Sequence, residues 1–148
     1  MKASRRFLVH AEFRRQHEEI LQSNPQLRKP LYTQYRKALA DPVRAGKAMH
    51  SIPGEELRGK LHRLWIGGKK GYRLVYYFST ELDIILPAWI SPVPRTHLDY
   101  EKADWLDCAD QYCSDLLEGN MDQFEDWTKL LLQIQNVHKT TKSLPSPI

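Results

Sequence analysis

The stretch LHRLWIGGKKGYRLVYYF, residues 61–78, sets two β-rich runs on either side of Gly67-Gly68-Lys69-Lys70-Gly71. Short runs of branched and aromatic residues broken by a glycine-rich turn predict an antiparallel hairpin, with strands at 61–66 and 71–79. A third strand at 82–90 follows across Ser79-Thr80-Glu81, so the centre of the chain is committed to antiparallel sheet. Pro87 has no N–H for a ladder, which predicts a bulge or an exposed edge in that strand. Alternation puts Leu61, Arg63 and Trp65 on one face of the hairpin together with Arg73, Val75, Tyr77 and Ser79.

The flanks supply helices. RRFLVHAEF has the content of a short strand, and AEFRRQHEEILQSNP then spaces Phe13, His17, Ile20 and Leu21 as one helical face that Asn24-Pro25 ends. Pro30 fits the first turn of a second helix carrying Leu31, Tyr35 and Leu39, stopped at Asp41-Pro42. DPVRAGKAMHSIPGEELRGK is punctuated by Pro42, Gly46, Pro53, Gly54 and Gly59 and reads as loop. Beyond SPVPRTH, two helices are expected, divided at Gly119-Asn120. The first shows Trp105, Tyr112 and Leu116 on its apolar stripe, the second Phe124, Trp127, Leu131 and Ile134. TTKSLPSPI is a loose tail.

This pattern predicts one α+β domain: a small, mainly antiparallel sheet, two N-terminal helices and a C-terminal helical extension. A core at 1–100, an extension of the same domain at 101–138 and a flexible tail at 139–148 divide the chain. A length of 148 residues, with 41% hydrophobic and 27% charged content, fits one such domain. No run of about 18 apolar residues occurs, and MKASRRFLVHAEFRRQ lacks the apolar stretch of a secretory signal. The expectation is a soluble, cytoplasmic protein with no membrane partner.

Charge is divided along the chain. Residues 1–98 hold 18 Lys and Arg against 8 Asp and Glu, whereas residues 99–126 hold 1 against 10. A basic body suits a polyanion, and the acidic segment is a solvated helix face or an internal counterweight. Cys108 and Cys113 are five apart on a predicted helix, facing different ways, which suits two reduced thiols and neither a disulfide nor a CxxC metal site. The six histidines show no HExxH-type spacing, so no metal or other cofactor is expected.

Arg63 and Arg73 on neighbouring strands, with Trp65 and Tyr77 beside them, form what single-stranded nucleic acid requires. Guanidinium groups bind phosphate bidentately, and aromatic rings stack on bases at about 1–3 kcal/mol each. The competing reading pairs the two arginines with carboxylates of the acidic helices and puts Trp65 in the core. Lys69 and Lys70, at the hairpin tip, suit charge contacts with RNA. His62 points away from Arg63 and suits packing or capping, and Trp89 and Trp127 suit the core.

The order strand, two helices, three antiparallel strands, with ELRGKLHRLWIGGKKGYRLVYYF at its centre, resembles the RelE/ParE superfamily of type II toxins. The matching pieces are Leu57-Arg58-Gly59, Arg63 and Tyr72-Arg73-Leu74-Val75-Tyr76. The IILPAWI strand with Trp89 and the extension DQYCSDLLEGNMDQFEDWTKLL bring the chain nearest the YhaV toxin branch. The core resemblance covers about residues 55–100 and is fairly specific, and that of the acidic extension is weaker. His10 ends the first strand where the YhaV branch also carries a His, and the resemblance makes it a weak site candidate.

The resemblance implies a RelE-like fold and a metal-independent endoribonuclease that cleaves messenger RNA by 2′-hydroxyl attack. Its partners would be a cognate antitoxin and RNA, free or on the ribosome. Arg73 matches the arginine of the family's Tyr-Arg strand, the phosphate clamp, and Arg63 the first basic position of the preceding strand. The second basic position falls on Trp65, which can neither accept nor donate the needed proton. Arg95, His97 and Tyr100 lie where the family has a basic residue followed by Tyr, and His97, with an unperturbed pKa of about 6.5, suits general acid or base work. The alternatives are a ParE-like toxin acting on a protein such as DNA gyrase, or a non-catalytic RNA- or ribosome-binding module.

Overall fold

A computed structural model describes residues 5–49, 60–66, 72–91 and 105–137, with side chains at all of these except 105, 106 and 134–137. Strand β1 (Arg6–His10) runs directly into helix α1 (Ala11–Ser23), because His10 is both the last strand residue and the helix N-cap. The Glu12 N–H donates to His10 Nδ1 at 3.1 Å, satisfying one of the amides that a helix start leaves without a partner. Phe13, His17 and Ile20 are buried, as their spacing predicts. A 3-10 turn at Pro25–Leu27 leads into α2 (Arg28–Ala40), which has Pro30 in its first turn and buries Leu31, Tyr32, Tyr35, Ala38 and Leu39.

The stretch expected as loop after Asp41 contains two short elements. Asp41 caps α3 (Pro42–Ala45), accepting from the Arg44 N–H, and strand β2 (Lys47–Ala48) follows. Neither element is long enough to show a period, and both depend on distant contacts. A Cβ on Gly46 would sit 2.9 Å from the Arg63 carbonyl oxygen and 2.9 Å from the Tyr76 hydroxyl, so only glycine passes there undistorted. The Tyr76 hydroxyl donates to the Pro42 carbonyl at 2.6 Å and accepts from the Gly46 N–H at 3.0 Å, binding the segment to the sheet.

Strands β3 (Leu61–Ile66), β4 (Tyr72–Ser79) and β5 (Ile84–Ile90) form the expected meander. The second turn is longer than predicted, spanning 80–83 with Asp83 at φ 55°. Arg5 accounts for that conformation in part: its Nε lies 2.9 Å from Asp83 Oδ1, and the Arg6 N–H reaches the Asp83 carbonyl at 3.1 Å. Of the two outcomes expected for Pro87, the bulge is present. Val75 faces Trp89 and Tyr76 faces Pro87, leaving Ala88 as the extra residue in a strand that is buried throughout.

Beyond β5, α4 (Trp105–Leu117) occupies the first predicted extension helix. The second predicted helix is corrected: Met121–Gln123 is a 3-10 turn, Phe124–Asp126 is strand β6, and only Thr128–Val137 is helix, α5. The apolar spacing of Phe124, Trp127 and Leu131 mimics a helix, but β1 offers a free edge, and pairing with it outweighs the local preference.

The fold is α+β, with a mixed six-stranded sheet in the order β2-β3-β4-β5-β1-β6 and five helices among the described residues. Of the described strand pairs only β1 with β5 is parallel. Phe7 meets Tyr35 of α2 at 5.3 Å between ring centres, while His10, on the opposite face of β1, stacks on Tyr112 of α4 at 4.4 Å. Helices α1, α2 and α5 therefore cover one face, and α4 lies on the other against β5 and β4.

Candidate nucleic-acid interface

Register fixes which side chains meet on the α4 face. Trp65 is directly opposite Arg73, and Arg63 is opposite Val75, a register that alternation alone does not specify. Arg63 and Arg73 are thus diagonal neighbours, roughly 7–8 Å apart at the backbone. The Arg73 guanidinium lies over the Trp65 indole, its carbon 4.0 Å from the ring centre. Such a contact contributes on the order of 0.5–2 kcal/mol and holds the guanidinium against the indole. Guanidinium hydrogen bonds to a phosphate lie in the guanidinium's own plane, whereas the ring contact uses its face.

The backbone beneath this pair is also fixed. The Arg73 N–H donates to Ser91 Oγ at 2.9 Å and its carbonyl accepts from the Ser91 N–H at 2.9 Å, with Ser91 fully buried. On the other strand, the Trp65 carbonyl projects past the end of short β2 and accepts instead from Gln34 Nε2 of α2. Arg73 is only 5% exposed, whereas Arg63 and Trp65 are half-buried. Among the described residues Arg63 forms no ion pair with the acidic helices.

Lys47 was not foreseen as part of this face. It stands directly across from Arg63 on β2 and is exposed. No local signal marks it, because its position follows from a two-residue strand. Tyr77 shares the face with Arg73 but is separated from it by buried Val75. It lies toward α4, where burial first and then the Cys113 thiol push its hydroxyl pKa up. Lys69, Lys70, Arg95, His97 and Tyr100 lie outside the described residues, as do Leu57, Arg58 and Gly59.

The described histidines have structural partners. His10 is 2% exposed; its Nδ1 accepts from Glu12, so the ring proton sits on Nε2 and is donated to Asp115 Oδ2 at 2.7 Å. That hydrogen bond, and then one from Asn120, hold the Asp115 carboxyl below its ordinary value. His62 stacks on Tyr76, 5.1 Å between centres, on the face away from Arg63. Trp89 and Trp127 are each 3% exposed, in the core. Neither cysteine forms a disulfide.

The acidic extension is attached at β1 and α1, through Asp115 to His10 and Glu125 to Arg14. A cleft of about 330 Å³ beside Gln16, Glu19 and Trp89 offers a carboxylate and no cation, which does not suit a polyanion. Among the described residues no three His, Cys, Asp or Glu side chains converge as metal ligands, and no helix is long and apolar enough to cross a membrane. No family model, curated protein or solved structure matches this chain.

Proposed function

We propose that this protein is a RelE-like, metal-independent endoribonuclease, nearest the YhaV type, acting in the cytoplasm as the toxin of a toxin–antitoxin pair. The observation that carries the reading is Arg73, a nearly buried cation held on the Trp65 indole at 4.0 Å, with Arg63 diagonal to it on the same face. In the reaction, a ribose 2′-oxygen attacks the adjacent phosphorus and the bond to the 5′-oxygen breaks. A base takes the 2′-hydroxyl proton and an acid returns one to the 5′-oxygen, leaving a 2′,3′-cyclic phosphate and a 5′-hydroxyl. Arg73, with Arg63, stabilises the extra negative charge on the phosphorane. His97, with Arg95 and Tyr100, is the candidate for proton transfer. Trp65 acts as a positioning residue, holding the Arg73 guanidinium against the indole.

The test is induced expression of the wild type beside Arg73→Ala at equal soluble level, following growth and mapping RNA ends. The wild type should arrest growth and generate new 5′-hydroxyl ends, and Arg73→Ala should do neither. Arrest by both proteins with RNA intact would sink the nuclease and favour a protein target. Trp65 at a position the family keeps basic favours one second reading, an RNA-binding module without chemistry. It requires salt-sensitive RNA binding with no cleavage at any protein concentration.

A further inference from the structure

Across the sheet, the row containing Arg63 reads Lys47, Arg63, Val75, Trp89 on strands β2, β3, β4 and β5. Exposure falls along it from Lys47, exposed, through Arg63, half-buried, to Val75, fully buried, and stays low at Trp89, 3% exposed. Arg73, one diagonal step from Arg63, lies at the buried end. The charged part of the row therefore opens at the sheet edge and closes at β4, a span of about 10 Å at ordinary strand spacing.

Lys47 forms no ion pair among the described residues, so nothing there neutralises the outer end of the row. Its position is imposed by the fold. Gly46 fits against the Arg63 carbonyl, and the Met49 N–H donates to the Leu61 carbonyl at 2.8 Å, so β2 is held on both sides of Lys47. A polyanion reaching Arg73 along this row passes Lys47 first.

We propose that Lys47 is a substrate-positioning residue: RNA crosses the strands from the β2 edge toward β4, and Lys47 holds a phosphate flanking the one at Arg63 and Arg73. This rests on the RNA-directed reading of the site and adds to it a direction of approach and a further contact. Because Lys47 is remote from the reacting atoms, it contributes to binding equally in the ground and transition states. Its loss raises KM and leaves kcat unchanged.

The experiment measures Kd for a single-stranded RNA carrying 2′-O-methyl groups throughout, which cannot be cleaved by 2′-hydroxyl attack. Wild type, Lys47→Ala, Lys47→Glu and Lys37→Ala are compared from low to high salt. Lys37, exposed on α2 over the opposite face, controls for the loss of one positive charge. Lys47→Ala should raise Kd about fivefold and reduce the slope of log K against log salt by about 0.7, with a larger effect for Lys47→Glu and almost none for Lys37→Ala.

Equal Kd and slope for Lys47→Ala and Lys37→Ala overturn the inference. If the wild type still generates 5′-hydroxyl ends in cells, the nuclease reading survives that result. A Lys47-dependent slope with cellular RNA intact keeps the binding track and removes the nuclease. No binding by the wild type overturns the track outright.

Discussion

His17 has a phenol hydroxyl at each ring nitrogen, Tyr35 at 2.8 Å from Nδ1 and Tyr32 at 3.3 Å from Nε2, with Trp127 edge-on at 5.2 Å between centres. A neutral imidazole donates through one nitrogen and accepts at the other, which the two hydroxyls satisfy. Burial, followed by the nearby Arg28 and Arg14 charges, lowers its pKa from 6.5 to about 4. As pH falls through 6.5 the unfolded chain gains this proton first, so stability is lost between about pH 6.5 and pH 4, by on the order of 3 kcal/mol. Asp115, held below its ordinary value, titrates under this window. Urea unfolding at pH 7 and pH 4.5 should show that loss in the wild type and a smaller one in His17→Gln. Equal losses in both proteins would remove His17 as the cause. Cys113 is a second buried group, its thiol pushed up to about 12 by burial and then by Asp110. It should resist alkylation at pH 8 until the protein is unfolded, and mass spectrometry showing free-thiol rates at Cys113 would contradict that.

At the scale of elements, the least self-sufficient piece is the one that carries Lys47. Segment 41–49 has no apolar period of its own and is held by Tyr76, whose hydroxyl bonds the Pro42 carbonyl and Gly46 N–H. Tyr76→Phe leaves both groups without that partner, and Gly46→Ala drives a Cβ to 2.9 Å from the same hydroxyl and from the Arg63 carbonyl. Each change should cost about 1–3 kcal/mol in urea unfolding. Part of the clash in Gly46→Ala is with the oxygen that Tyr76→Phe removes, so the double variant should lose less than the sum. Strict additivity would show that the contact at Gly46 carries no strain. These long-range dependences explain what was legible in the sequence. The β3–β4 hairpin and the sharing of one face by Arg63, Trp65 and Arg73 follow from period two and one short turn, all within 20 residues, whereas strand bounds of 61–66 and 71–79 do not fix the register that sets Trp65 opposite Arg73. β2 and Lys47 were missed because a two-residue strand is specified by Gly46, Arg63 and Tyr76 together. β6 was misread because Phe124, Trp127 and Leu131 fit a helical period, and the edge of β1 that captures Phe124 is over a hundred residues away in sequence.

For the whole molecule, sheet order sets the acidic strand β6 apart from the cation row. The row of Lys47 and Arg63 is at the β2 edge, and Glu125 and Asp126 are on β6 at the other edge, five strand spacings or about 24 Å away. At that separation salt at physiological strength screens one from the other, so the acidic strand does not neutralise the cation row. Its contribution is to the fold itself. β6 closes the free edge of β1, the Trp127 N–H donates to the Phe7 carbonyl at 2.9 Å, and the Thr128 hydroxyl accepts from the Phe7 N–H at 2.8 Å. Trp127 then packs against His17 and Tyr35, with Leu131 fully buried behind it. A removable regulatory arm would tolerate Trp127→Ala with little change in unfolding. An integral edge makes that substitution cost about 3–5 kcal/mol, a large share of the 5–15 kcal/mol that holds an ordinary domain together. Urea unfolding followed by circular dichroism separates the two, and a loss under about 1 kcal/mol would make the C-terminal segment an accessory to the sheet instead of part of it.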